Sequence, residues 1–406
     1  MSAILEGIKI LDLTRVIAGP MCTQILADMG ATVYKIEKPG EGDDTRRMGP
    51  FLQDPATGQP SNDSALYLAY NRGKHSVTVD IATPEGAQLV RDLALRCDVV
   101  VENYKVGSLA KYGLDEASLR GLKPELIYCS VTGFGQTGPY APKPAYDFIL
   151  QGLAGPMSTC GLPDDQPGGG PMRTAIPMTD MVTGLYATIG ILGALMHRQK
   201  TGEGQAIDAA MLDATVAFNG HLAVGYLMNG KAPQREGNTN PIASPSEVFD
   251  CADGLIIIAA GNNGQFQQLC AVLGAPDMPA DPRFATNMQR IAHRSALRDA
   301  LQALVRDRSR TQLLQQLSDA TVPAGPINDM AQVFADPQTQ HRQMVVELPH
   351  SSGQTVRVVR SPLNFSASPV THRSPPRLGE HSLKALREEL GLTDAQVAGL
   401  VARGVV

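Results

Sequence analysis

Asp180 stands at the head of a long apolar stretch, Pro177-Met178-Thr179-Asp180-Met181-Val182-Thr183-Gly184-Leu185-Tyr186, that continues to Met196. The pattern predicts a carboxylate in a first helical turn. Its neighbours are mostly apolar, and Gly184 lies one turn along the same face. That spacing leaves open room beside an ionisable oxygen. An aspartate at a helix start also serves as an N-cap and complements the helix dipole, so the cap reading stands beside the chemical one. A second pattern concerns cations. Arg15, Lys38, Arg46, Arg47, Arg72, Lys74, Lys105 and Lys111 recur after successive N-terminal strand signals. In an open α/β sheet, ligands bind at the carboxyl ends of strands, and Lys and Arg gathered there suit a phosphorylated ligand. Solvated surface charge is the alternative for each one taken alone.

The elements that must position these residues alternate between strand and helix. Ile8–Leu13, Ala31–Glu37, His75–Asp80, Asp98–Val101 and Leu126–Thr132 read as strands, several of the continuous apolar kind found in buried parallel sheets. Pro20 suits the first position of a helix that stops at Gly30. Thr83-Pro84-Glu85 starts another helix. Strands separated by helices imply βαβ units, and the fold class expected is α/β with a doubly wound parallel sheet. The breaker-rich run Asn229–Asn238 marks a linker. The expected organisation is a large α/β domain over residues 1–225, completed by 331–406, and a smaller α+β domain over 226–330. In the smaller domain, Gly254–Ala260 reads as a strand, Gly261-Asn262-Asn263-Gly264 as a tight turn and Gln265–Leu273 as a helix. The tail from Glu380 reads as helical and is expected to return to the first domain.

Motif searches exclude several chemistries. The loop after the first strand, Thr14–Pro20, lacks the G-x-G-x-x-G spacing, and Pro20 removes a backbone donor that a pyrophosphate would need, which disfavours NAD. No Walker A motif and no HExxH occur, so no metal site is expected. Gly168-Gly169-Gly170 lies between prolines and reads as a loop. The net charge of −5, the absence of Trp and the low aromatic content argue against nucleic acid. Six scattered cysteines without a CxxC pair read as buried thiols of a reducing compartment. The N-terminal residues show no signal-peptide pattern. Met181–Met196 is shorter than the roughly 20 residues that span a bilayer. A cytoplasmic protein without a membrane partner is the expectation.

The chain closely resembles the class III CoA-transferases, nearly end to end. The segments that carry the resemblance are Asp12-Leu13-Thr14-Arg15-Val16-Ile17-Ala18-Gly19-Pro20, Lys35-Ile36-Glu37-Lys38-Pro39-Gly40 and Gly42-Asp43-Asp44-Thr45-Arg46. Asn71-Arg72-Gly73-Lys74-His75-Ser76, Val101-Glu102-Asn103-Tyr104, Gly135-Gln136-Thr137-Gly138-Pro139-Tyr140 and Tyr146-Asp147 follow, with Lys200-Thr201-Gly202-Glu203-Gly204-Gln205 further on. Thr179-Asp180-Met181-Val182-Thr183-Gly184 and Gly261-Asn262-Asn263-Gly264-Gln265-Phe266 complete the pattern, whose order and spacing are specific.

The resemblance implies that Asp180 is the catalytic nucleophile, passing through an acyl-aspartyl anhydride and an aspartyl-CoA thioester. The helix N-terminus is expected to help keep it ionised. Coenzyme A is then a substrate, and no permanently bound cofactor is expected. Gly261 and Gly264 are implied to belong to a mobile loop over the site, whose amides shield the anhydride and donate to the developing oxyanion. CoA contacts fall on Arg15, Val16, Lys38, Arg72, Lys74, Lys111 and Tyr146. The partner implied is a second copy of the chain, in an interlocked homodimer.

Two other activities compete. An acyl-CoA racemase of the same superfamily uses a His and an Asp as an acid/base pair, where this chain has Tyr146-Asp147; a phenol with a pKa near ~10 is a poor base at neutral pH. A non-catalytic CoA-binding regulator is the other. Oxalate-using relatives carry Gln in place of Ile17 and Trp in place of Met48, which points away from oxalate and formate. The Gly-Asp-Asp-Thr-Arg and Gly-Asn-Asn-Gly-Gln-Phe segments resemble the branch that uses succinyl-CoA and dicarboxylates such as glutarate. Arg46 or Arg47 is expected to pair with the distal carboxylate.

Overall fold

The computed structural model describes residues 3–54 and 57–406; Met1 and Ser2, at the start of the N-terminal segment read above, lie outside the described residues. The chain divides into two compact units: 1–156 with 174–230 and 338–406, and 157–173 with 231–337.

The first unit is built on six parallel strands. They are β1 (Lys9–Leu13), β2 (Thr32–Glu37), β5 (His75–Thr78), β6 (Val99–Glu102), β7 (Ile127–Thr132) and β8 (Ala206–Ala210). Across the sheet their order is β5-β2-β1-β6-β7-β8. The chain therefore starts in the middle, builds outward to β5, then returns to β6 on the other side of β1. This is the doubly wound order, and its switch point lies between β1 and β6.

Helices cover both faces because successive strand residues point to opposite sides and both sides are apolar. Ile10, Val99, Val101, Ile127 and Cys129 pack with Cys22 and Leu26 of α1 (Ala18–Asp28) on one face. Leu11, Val100 and Tyr128 pack on the other with Val90, Leu93 and Ala94 of α3 (Pro84–Arg96) and Leu119 of α4 (Glu116–Leu122). Thr83 caps α3 by accepting the Gly86 N–H, as the sequence predicts. α1 begins at Ala18, two residues before Pro20. Between β2 and β5 the chain forms a hairpin, β3 (Phe51–Gln53) and β4 (Pro60–Ser64), and the short α2 (Ala65–Tyr70).

After β7 come α5 (Asp147–Leu153), the single turn α6 (Pro156–Thr159) and α7 (Met178–Thr201). α7 is longer than its apolar stretch. At 24 residues it meets the length and composition of a membrane span, but half of its most apolar window is buried in this fold. Ala187, Ile191, Ala194 and Leu195 join the α1 side of the sheet core. Gly184 does not provide open space beside Asp180. A Cβ there would stand 2.7 Å from the Ala18 carbonyl oxygen, so the glycine allows close packing of α7 on α1. Helices α8 (Met211–Phe218) and α9 (Gly220–Asn229) follow β8.

The second unit contains the antiparallel strands β9 (Ser246–Cys251), β10 (Gly254–Ala259) and β11 (Ala324–Pro326), in the order β11-β10-β9. α10 (Asn263–Leu273), α11 (Asn287–Ala292), α12 (Arg294–Val305) and α13 (Arg310–Asp319) accompany them. Phe249, Ile256, Phe266, Leu297 and Leu313 form its core. Past α14 (Met330–Ala335) and α15 (Pro337–His341), the chain makes the hairpin β12 (Val345–Pro349) and β13 (Thr355–Val359) of the first unit. It ends in α16 (Ser382–Leu390) and α17 (Asp394–Ala402). Ala385 of α16 enters the α3 side of the core, and Glu389 accepts from Lys9 and Tyr34.

Candidate active site

The loop that leaves β1 at the switch point is fixed from three sides. Asp12, fully buried in β1, accepts from the Thr14 N–H and hydroxyl and from Thr23. Lys74 supplies its counter-charge at 2.9 Å. Burial alone would push the Asp12 carboxyl up; Lys74 and Lys35 outweigh it and bring it down to about 2. Lys35, equally buried, donates to the Thr14 carbonyl and to Asp43, each at 2.8 Å. Asp43 in turn accepts the Val16 N–H at 3.3 Å. Asn103, just after β6, accepts the Arg15 N–H and donates to the Arg15 carbonyl. These bonds hold Val16 at φ 73, a left-handed conformation that a β-branched residue rarely adopts.

Arg15 and Val16 line a cavity of about 310 Å³ beyond the strand ends, together with Tyr104, Lys105, Lys143, Tyr146, Asp147 and Asp180. A second cavity, of about 370 Å³, shares Arg15, Asp44 and Tyr104 with the first and adds Lys38, Ser108 and Lys111. The structure thus brings Arg15, Val16, Tyr146 and Asp180 to one cavity and Lys38 and Lys111 to the one that adjoins it.

Asp180 is the third residue of α7, not its cap. The cap position falls to Pro177, which has no side-chain acceptor. Asp147, the first residue of α5, does that work from another element. Its Oδ1 accepts from the Thr179 N–H at 2.8 Å and from the Thr179 hydroxyl at 2.7 Å. Among the described residues the Asp180 carboxylate has no hydrogen-bond or ion-pair partner. Burial first, and the Asp147 charge second, push its carboxyl from 3.8 up to about 7. The expectation that the helix terminus keeps Asp180 readily ionised is therefore corrected. The terminal N–H goes to Asp147, and desolvation dominates at Asp180.

Arg72 and Lys74 line neither cavity. Arg72 is buried in a two-bond pair with Asp28 and also donates to the Val359 carbonyl. Lys74 spends its donors on Asp12, Asn71 and the Pro20 carbonyl. Arg46 is buried as well, gripping Glu37 through Nε at 2.7 Å and Nη2 at 2.8 Å and lying over the Tyr67 ring. Arg47 is exposed and pairs with Asp44 at 2.9 Å. Neither of these two arginines lines the cavities that Arg15 joins.

Gly261 and Gly264 belong to the second unit. Asn262 caps α10 by accepting the Gln265 N–H, so Gly264 lies inside the helix and not in the turn. The Gly261 carbonyl accepts from Arg290. A Cβ at Gly261 would meet the Ala243 Cβ at 2.8 Å, whereas one at Gly264 would make only an ordinary contact, 3.6 Å from Asn262 Oδ1.

Sequence reasoning gave Asn103 no role, and it passed over Lys143 and the positioning bonds of Lys35, Asp43 and Asp147. For Asp147 a signal existed: an acid directly before the apolar run Phe148-Ile149-Leu150 marks a helix start. All six cysteines are free thiols; four are buried as expected, but Cys160 and Cys251 are only partly buried. Among the described residues no cluster of His, Cys, Asp and Glu could hold a metal ion.

CoA-transferase family III matches residues 5–382 of the chain. The succinate–glutarate CoA-transferase of Agrobacterium fabrum is 46% identical over 385 residues, 95% of each chain. The succinyl-CoA:glutarate CoA-transferase of Homo sapiens is 39% identical over 403 residues, 99% of this chain and 90% of that protein. The crystal structure of a CAIB/BAIF family protein from Brucella suis superposes with a TM-score of 0.86 at 44% identity, covering 96% of this chain and all of that one.

Proposed function

We propose, for a chain that belongs to CoA-transferase family III and is thereby an enzyme that transfers CoA, that it moves CoA from succinyl-CoA to a dicarboxylate through Asp180. The observation that carries this reading is the Asp180 carboxylate itself, unpartnered at the mouth of a helix and open to a cavity that continues into one lined by Lys38 and Lys111.

An Asp180 oxygen attacks the succinyl thioester carbon; the C–S bond breaks and CoA leaves as thiolate, giving a succinyl-aspartyl anhydride. The thiolate attacks the Asp180 carbonyl, the anhydride C–O bond breaks, and succinate departs from an aspartyl-CoA thioester. The acceptor carboxylate attacks that thioester and expels the thiolate again. The thiolate then takes the acceptor's acyl carbon, restoring Asp180. Each step exchanges one anion for another, so no proton has to move. CoA contacts are assigned to Arg15, Val16 and Tyr146 beside Asp180 and to Lys38 and Lys111 in the adjoining cavity. Lys74 and Arg72 act from behind, in the ion pairs that shape the wall.

The racemase reading is weaker, because the position of its base is held by Tyr146, which is exposed, and Asp147 is committed to Thr179. Similarity to the two glutarate enzymes supports a dicarboxylate acceptor. Arg47 is assigned to the distal carboxylate: it lines neither cavity itself but pairs with Asp44, which lines both, whereas Arg46 is held by Glu37. The active form is an interlocked homodimer. Apolar side chains exposed on α5, α7, α8 and α9, among them Phe148, Ile149, Tyr186, Ile189, Phe218 and Leu227, support a covered surface. The six free thiols suit a cytoplasmic enzyme.

A purified-enzyme screen of succinyl-CoA against straight-chain mono- and dicarboxylates tests the assignment. Glutarate or a neighbouring dicarboxylate is expected to be the best acceptor. Preference for monocarboxylates would refute the substrate class.

A further inference from the structure

We propose that Asp147 is the positioning residue of the nucleophile, a second carboxylate that takes the Thr179 donors at the start of α7 for itself and leaves Asp180 bare. The inference rests on the reading of Asp180 as nucleophile and adds a residue that this reading does not require.

A helix N-terminus stabilises whichever anion its free N–H groups reach. At the start of α7 two carboxylates compete for that end. Asp147 wins it: one oxygen accepts both the Thr179 N–H and the Thr179 hydroxyl. Its other oxygen accepts from Gln151 Nε2 at 2.7 Å. Gln151, fully buried, uses its own carbonyl for the Thr174 N–H at 2.9 Å, which fixes the segment leading into α7. Three donors therefore converge on Asp147, and none reaches Asp180.

The division has a chemical consequence. A carboxylate held by three donors is a poor nucleophile, because each bond must weaken as the lone pair is used. Asp180 keeps its lone pairs, and the fixed negative charge beside it raises its basicity further. A more basic carboxylate is a better attacking group on a thioester and holds the acyl group while the thiolate leaves. Asp147 lines the cavity, but its oxygens are committed to Thr179 and Gln151, so it acts through α7 and through its charge.

The cavity and the elements packed against α7 carry these other titratable or charged groups. Arg15, Lys105 and Lys143 are the cations of the cavity, and Asp44, Tyr104 and Tyr146 its remaining titratable groups. Tyr70 of α2 is raised by burial and by the Asp180 charge. On α1 the acid is Asp28, paired with Arg72. On α8 it is Asp213, which is exposed.

The test is the pH dependence of kcat/KM for transfer from succinyl-CoA to glutarate in wild type, D147N and D180N, with a thermal melt of each. D147N keeps an acceptor oxygen for Thr179 and removes the charge. The wild-type acid limb is expected near the value of about 7 set at Asp180. In D147N it moves to lower pH by about one unit, with a plateau about tenfold lower. A merely structural residue would lower the melting temperature and leave the limb in place. A limb that stays where it is in D147N, or a D147N chain that no longer folds, overturns the proposal. Transfer retained by D180N would instead remove the nucleophile reading on which it stands.

Discussion

A carboxylate that must attack a thioester has to be ionised, poorly solvated and unengaged, and these demands conflict. Asp180 meets them by standing half-buried without a partner, and the cost appears as a carboxyl raised to about 7. The contrast with Arg46 and Arg47 shows how neighbours decide what a charge can do. Arg46 lies 2.7 Å from Glu37 with its guanidinium buried. Releasing it for a substrate would leave Glu37 uncompensated, a change that costs about 3–5 kcal/mol when one partner of a buried pair is removed. Arg47 sits at the surface against Asp44 and can exchange one carboxylate for another. R47A is therefore expected to lower kcat/KM for glutarate by about 10-fold, with little change for a monocarboxylate of similar length. Equal losses for both acids, measured side by side, would assign Arg47 to CoA or to the loop instead.

The elements at the switch point are tied together by ions placed inside the fold. Asp12 of β1, Lys35 of β2 and Lys74, which directly precedes β5, are side chains without solvent exposure, and the loop carrying Val16 hangs from them. D12N should destabilise the enzyme by about 3–5 kcal/mol in urea unfolding at neutral pH, because Lys74 is left buried without its anion. The pH dependence has a definite sign. The Asp12 carboxyl is lower in the folded chain, at about 2, than its ordinary 3.8. Its contribution is complete above pH 3.8 and disappears as pH falls through 2, so the difference between wild type and D12N should shrink across that window. A constant difference across it would detach the stabilisation from the Asp12 charge. This arrangement was only partly legible in the sequence. β1, β2, β6 and β7 announce themselves by apolar runs, and α3 by its Thr-Pro-Glu start. β8 does not, because Ala206-Ile207-Asp208-Ala209-Ala210 is weakly strand-forming and exists through its pairing with β7. Cations at strand ends were legible as a set. Their fates were not, since Arg72, Lys74 and Arg46 are set apart from Lys38 and Lys111 by Asp28, Asp12 and Glu37, acids distant in the sequence. The bond of Asp147 to Thr179 was hidden for the same reason: it caps a helix that starts 31 residues later, Met178 against Asp147.

At the scale of the molecule, the strand order places both cavities where a doubly wound sheet accepts ligands, beyond the point at which the winding reverses. The first unit also exposes a run of large apolar side chains from α5 through α9, including Leu227 and Met228 at about four-fifths exposure. A lone chain would carry this surface at risk of aggregation. Sedimentation equilibrium at micromolar protein should give a dimer, and L227E, which puts a charge in that surface, should shift it toward monomer. A wild-type chain that sediments as a monomer would contradict the assembly. Asp180 is proposed to carry the acyl group and then CoA. Incubation with succinyl-CoA and hydroxylamine, followed by digestion and mass spectrometry, tests it directly. Hydroxylamine cleaving an aspartyl-CoA thioester should leave a hydroxamate on the peptide containing Asp180, dependent on succinyl-CoA and absent from D180N. An enzyme that transfers CoA at full rate while the Asp180 peptide remains unmodified would contradict it.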